Sequence, residues 1–337
     1  MPMQSSEFKK TIMTFTKLLL KGVLLFLLCL ALRRIIFDIL WLDPDFPDAY
    51  DLSYERALLR QVETLKEDRD PETIVFGASY VPFGIDVSEM ETVLDQKTQI
   101  LGVEAGMGIP VLIELAEKTV RTGDTLIYML GTSNQSYEDP IAICAALEPD
   151  KELLMSYMEN RDGLKNSRDA LIWRKMYSLI LGKPVIWFES KLARKKQIYT
   201  IDSFDDHGNM IADRPGPLPA MDGYNEAYEY LEMDDMDMNT LEKLNELKIW
   251  CDSNNVTMVI AYAPFLDVTI ENDEETLNTF HEELSSVLHI DFINTVGDTL
   301  MEKKYFFNHP SHLNSEGARI YSHALAESLI RYRGEEK

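Results

Sequence analysis

Hydrophobic positions along this chain fall into two periods. Short apolar runs at residues 74–76, 99–103, 125–130, 256–262 and 290–293 read as buried strands. Between them, residues 110–121, 240–254 and 274–288 repeat their apolar side chains at helical spacing. That alternation predicts an α/β domain with a parallel sheet and helices on both faces. Residues 52–67 form an earlier amphipathic helix, which Asp68-Arg69-Asp70-Pro71 breaks. A closing helix follows Asn314 or Ser315 as its cap and lays Tyr321, Ala324, Leu325, Ser328 and Leu329 on one face. Asn239 with Glu242 reads as a capping box, a better account than the calcium loop that Asp235, Asp237 and Glu246 superficially suggest, since Thr240 stands where that loop needs glycine.

The amino terminus breaks this pattern. Gly22 to Leu32 is uninterrupted apolar sequence, and Leu18, Leu19 and Leu20 extend it past Lys21 towards the ~20 residues that a bilayer requires. Four lysines precede the run, two arginines follow it, and no small-residue cleavage site comes after. We therefore expect residues 1–45 to be a cytoplasmic tail and transmembrane signal-anchor helix, with residues 46–337 on the outer face of a cell membrane. A second departure covers residues 135–230, with a helical stretch at 170–181, a cationic one at 191–196 and a loop around His207 and Pro217. It reads as an insertion that either roofs the carboxyl edge of the sheet or packs peripherally.

Charge narrows the partners. The formal charge is −24, and beyond Arg34 the chain carries 27 basic and 56 acidic residues. That excludes nucleic acid as a partner, and polyanions of the teichoic-acid kind unless a local basic patch exists. Cys144 and Cys251, the two cysteines outside the apolar leader, lack metal-ligand spacing and are either two buried thiols or one disulfide. His309-Pro310-Ser311-His312 has no companion cluster of ligands, so neither a metal nor a cofactor is expected.

Two stretches carry the candidate chemistry. Ile74-Val75-Phe76-Gly77-Ala78-Ser79 ends a strand on a small nucleophile, and the stretch from Tyr305 through His309 and His312 to Ser322 can return an imidazole base to the same edge. A serine hydroxyl needs a base within hydrogen-bond reach and donors aimed at the developing oxyanion. Ser79 would attack and His312 would take its proton. The Ser79 N–H, the loop containing Gly106 and Gly108, and Asn134 in Gly131-Thr132-Ser133-Asn134 are the candidate oxyanion donors.

These blocks resemble the nucleophile, glycine and histidine blocks of the SGNH (GDSL-type) hydrolase superfamily. The likeness is greatest to its membrane-anchored cell-envelope branch, represented by DltD and the alginate O-acetylation proteins. It rests on the block order, on a late Tyr-Phe-x-Asp-x-x-His-Leu-Asn-x-x-Gly-Ala-like pattern and on Pro264 after a late strand. The resemblance implies a three-layer α/β/α sandwich around a mostly parallel five-stranded sheet. It also implies esterase or O-acyltransferase chemistry on acyl, in particular acetyl, esters of an envelope polysaccharide, with a membrane-bound O-acyltransferase as partner.

Two departures qualify it. His309 stands where the family has Asp, three residues before the base, and Asn134 lies one place beyond the family's Gly-x-Asn spacing. A neutral His309 can orient His312 but supplies no charge, which leaves Asp291, Glu316 or a backbone carbonyl as substitutes for the acid. A catalytically degenerate binding or assembly subunit is the alternative that this departure keeps open.

Overall fold

The computed structural model describes residues 5–36, 50–67, 69–131, 137–160, 177 and 198–334. At its centre four parallel strands, β1 (Thr73–Phe76), β2 (Thr98–Leu101), β3 (Thr125–Leu130) and β4 (Thr257–Tyr262), lie in the order β2-β1-β3-β4. Nearly every strand residue is buried, as expected of a parallel sheet covered on both faces.

Because strand side chains alternate, the sheet divides its apolar residues between two cores. Ile74, Phe76, Leu126, Tyr128, Leu130, Ile260 and Tyr262 point to one face. They meet α2 (Ala57–Lys66), α5 (Ile109–Thr119), α8 (Met238–Ser253) and α9 (Glu274–Val287) there. Val75, Ile127, Met129, Val259 and Ala261 point to the other, against α3 (Tyr80–Gly84), α4 (Val87–Leu94) and α10 (Ser315–Arg333). Two helical layers about a parallel sheet are thus present.

The fifth strand is not. Residues 290–293 make a single parallel bridge, Ile260 to Phe292, held by Ile260 N–H to Asp291 C=O at 2.8 Å and Ile293 N–H to Ile260 C=O at 2.9 Å. One turn further on, the Asn294 side chain accepts from Tyr262 N–H at 2.8 Å, so an amide side chain takes over the backbone pairing that would have continued the ladder. The capping-box expectation also shifts: Asp237, not Asn239, starts α8, accepting from Asn239 N–H at 3.1 Å and Thr240 Oγ1 at 2.9 Å. Asn314 caps α10 by accepting from Gly317 N–H at 2.9 Å.

Helices α6 (Pro140–Leu147) and α7 (Lys151–Asn160) lie where the sequence suggests an insertion, yet they bury Ala142, Ile143, Cys144, Leu154 and Tyr157 in the first core. This part of the excursion is core rather than roof. The expected helix at 170–181, apart from residue 177, and the cationic stretch at 191–196 fall outside the described residues. Cys144 and Cys251 are both buried, and neither is in a disulfide.

At the amino terminus α1 spans Ser5–Ile36. Its side chains from 13 to 29 are all exposed, among them Phe15, Leu18, Leu20, Leu24 and Phe26. Among the described residues no helix is long and apolar enough to cross a membrane, so the fold gives the expected transmembrane span no support.

Candidate active site

Strand order decides where the site lies. The chain leaves β1 towards β2 on one side and later returns to β3 on the other, so the carboxyl ends of β1 and β3 splay into the crevice where open α/β sheets bind ligands. Ser79 follows β1 and Gly131 follows β3, and both line a cavity of about 350 Å³ together with Tyr80, Ala105, His309 and His312.

Close packing behind the nucleophile fixes its turn. A Cβ at Gly102, just after β2, would run into the Gly77 carbonyl oxygen, and one at Gly131 would sit 2.7 Å from the Tyr80 ring. Buried Gln61 locks the same turn from α2, accepting from Gly102 N–H at 2.9 Å and donating to the Gly208 carbonyl at 2.9 Å.

The base arrives on a tight antiparallel hairpin of β5 (Phe306–His309) and β6 (His312–Leu313), in which His309 pairs with His312. The imidazole of His312 stacks on Phe83 of α3, with centroids 4.0 Å apart and planes at 11°. Its Nε2 lies 3.0 Å from Ser79 Oγ, although 233 positions separate the two residues.

His312 Nδ1 meets Asn308 Oδ1 at 3.2 Å. The Asn308 Nδ2 donates to the Tyr199 hydroxyl at 2.8 Å, which leaves the amide oxygen facing the imidazole. That orientation makes Nδ1–H the donor to Asn308 and frees the Nε2 lone pair to accept from Ser79. The third member is therefore a neutral amide, as in the Cys-His-Asn arrangement of papain-like proteases. It fixes the tautomer without supplying charge. Burial pushes the His312 pKa down to about 3, and His309 and Arg214 push it the same way.

His309 does not play the orienting part expected of it. Its Nδ1 pairs with Ser311 Oγ at 2.7 Å, and its ring centre is 5.2 Å from that of His312. It forms part of the cavity wall instead, with its pKa lowered by burial. The irregular hairpin explains the difference: cross-strand pairing sets the two rings side by side, and the register shift between Phe306 and His309 lets the adjacent Asn308 reach the second imidazole nitrogen. Neither Asp291 nor Glu316 is a hydrogen-bond partner of either His312 nitrogen; the Asp291 carboxylate accepts from Tyr332 at 2.9 Å.

Of the expected oxyanion donors, Ser79 N–H has no partner within the chain among the described residues. The Gly108 N–H is committed to the Ala105 carbonyl at 3.0 Å, which removes it as a free donor. Gly106 packs towards α6, where a Cβ would lie 3.4 Å from that of Asp139, and it is Ala105 that lines the cavity. Asn134 lies outside the described residues.

An acidic group flanks the same turn. Tyr54 donates to Glu104 at 2.6 Å, and burial, with the charge of Glu104 nearby, raises the Glu55 pKa to about 7. Among the described residues no cluster of His, Cys, Asp or Glu is arranged to hold a metal ion.

Sequence reasoning missed Asn308, Tyr199 and Arg214. The first had a readable signal, an amide four positions before the base across a Pro310-Ser311 turn; the other two come from a distant segment that no local pattern ties to the site. The chain matches no protein-family model and no curated protein.

Proposed function

We propose that Ser79 and His312 act as nucleophile and base in an enzyme that transfers or hydrolyses acyl groups, acetyl foremost, carried as esters on an extracytoplasmic polysaccharide. The observation that carries this reading is the 3.0 Å contact between Nε2 and Oγ at the mouth of the β1/β3 crevice. Ser79 Oγ attacks the ester carbonyl carbon while its proton passes to His312 Nε2. The oxyanion of the tetrahedral intermediate faces the free Ser79 N–H. Collapse breaks the C–O bond to the leaving alcohol, which takes the proton back from Nε2 and leaves an acyl-Ser79. Water or an acceptor hydroxyl then repeats the sequence in reverse, giving hydrolysis or transfer.

The test is labelling by a fluorophosphonate probe. Wild-type protein is expected to label at Ser79, and Ser79→Ala and His312→Ala each to lose labelling and turnover of a simple acetyl ester. Folded wild-type protein that does not label overturns the reading.

One observation favours a second reading. With a neutral amide at Nδ1 and a pKa near 3, His312 is a weak base, which suits a degenerate subunit that binds glycan beside a membrane-bound O-acyltransferase. Glycan binding or co-purification undiminished by Ser79→Ala, without labelling, would support it. In either reading the uncovered apolar side chains of α1 associate the protein with a membrane, and deletion of residues 1–36 is expected to move it to the soluble fraction.

A further inference from the structure

Arg214 lies within the later part of the excursion, ahead of α8 and outside every block that carries the candidate chemistry, yet it is only 4% exposed. Its guanidinium reaches three backbone carbonyls from three segments: Nε to Leu313 at 3.3 Å, Nη1 to Ala212 at 3.2 Å and Nη2 to Phe83 at 3.5 Å. Leu313 follows the base and Phe83 belongs to the helix that begins at the nucleophile. The backbone at and beyond Arg214 is fastened to the start of α10 and to the histidine hairpin. Arg214 N–H donates to Ser315 Oγ at 2.8 Å, Ser315 N–H to Arg214 C=O at 3.2 Å, and Leu218 N–H to Phe307 C=O at 2.8 Å.

The guanidinium carbon also sits 5.6 Å from the centre of the Phe83 ring, whose stacking partner is His312. A cation, an aromatic ring and the imidazole thus share one neighbourhood. None of the carboxylates around Arg214 pairs with it directly: Asp213 accepts from Ser315 at 3.1 Å, and Asp86 caps α4, accepting from Glu89 N–H at 3.1 Å.

We propose that Arg214 is the positioning residue of the Ser79–His312 pair, clamping the nucleophile helix to the histidine hairpin and holding His312 as the neutral base. The proposal deepens the serine-ester reading and rests on it for its kinetic consequences. Only Arg spans three carbonyls in a plane; a lysine ammonium supplies the charge from a single point. An imidazole facing a fixed cation resists protonation from solvent, so its Nε2 lone pair stays open to Ser79 at mildly acidic pH, at the cost of a weaker base. The titratable groups facing His312 are His309 across the hairpin, Tyr199 at Nδ1, Ser79 at Nε2 and Arg214 behind Phe83.

Two variants separate geometry from charge. In Arg214→Met both are lost, and fluorophosphonate labelling of folded protein is expected to slow by about 10²-fold, the scale of a misplacement near 1 Å. In Arg214→Lys the charge remains, so labelling slows while the acid limb of its pH profile stays where it is in the wild type. The second readout needs no catalysis: NMR titration of the His312 ring should show its pKa rising in Arg214→Met and little changed in Arg214→Lys. Wild-type labelling rate in Arg214→Met, or a His312 titration indifferent to it, overturns the proposal. A wild type that fails to label but shows the NMR shift defeats the esterase reading and leaves the clamp standing.

Discussion

Arg69 and Arg214 occupy opposite ends of the same sheet and keep opposite company. At the amino edge, Arg69 makes a two-pronged pair with Asp124, both contacts 2.8 Å, and its side chain is 7% exposed. Asp124 also accepts from the N–H groups of Glu72 at 2.9 Å and Arg121 at 2.8 Å, so it is fully employed holding the starts of β1 and β3 together. At the carboxyl edge the Arg214 guanidinium has only carbonyls as hydrogen-bond acceptors among the described residues, with Asp86 and Asp213 near but unpaired with it, and burial lowers its pKa to about 10. A neutralised, saturated ion pair does nothing but fasten the frame. A cation left with carbonyls still projects its field into its surroundings, and those surroundings contain the imidazole beside Ser79. A saturated ion pair stands at one end of the sheet and the candidate chemistry at the other.

The sharpest break in that contrast is Asp124→Ala. Stranding a buried guanidinium costs about 3–5 kcal/mol, so the denaturation midpoint should fall steeply while labelling per folded molecule stays at the wild-type level. A slowed reaction in the folded fraction would mean that the two edges are not separate.

Asn308→Asp acts at the other end. It sets a carboxylate against His312 Nδ1, which favours the imidazolium, raises the His312 pKa and moves the acid limb of the rate profile upward. Because the missing charge and tautomer control together amount to about 10⁴ in the serine-protease comparison, a gain of about tenfold at neutral pH is a modest expectation. An unchanged profile would show that Asn308 does not govern the imidazole.

The smallest effect is on stability against pH, where two groups oppose each other. His312 titrates at about 3 in the fold against a normal 6.5, so the folded state binds fewer protons between those values and loses stability as pH falls through them. Glu55, raised to about 7 from 4.5, binds more protons when folded and costs stability as pH rises through that window. Glu55→Gln should therefore uncover the His312 slope, making the acid side of a melting-temperature profile steeper; a flat profile there would remove the case for a buried neutral His312.

Much of the frame was legible because it is local. Four strands and the helices between them announced themselves by period, and β3 falls on the residues read as a strand. The fifth strand was misread since an apolar Ile290–Ile293 pattern cannot reveal that the Asn294 side chain will intercept the Tyr262 backbone. The capping error at Asn239 has the same origin: Asp237, two places earlier, was the stronger acceptor for free N–H groups at the start of α8.

Of the candidate site, the sequence by itself determined which residue types stand at the ends of which elements: a serine after a strand, an imidazole before a closing helix and glycines where backbones crowd. Those follow from turn geometry and hydrophobic period, which act over a few positions. Tertiary structure alone decided that Asn308 rather than His309 meets the base, that Gly108 has no N–H to spare, and that Arg214 closes the two halves together. The first two are contacts over three or four positions whose direction depends on how a hairpin and a loop are held; the last joins segments 99 and 131 positions apart, and hydrogen bonds of that kind are specified by packing in three dimensions, where sequence spacing has no reach.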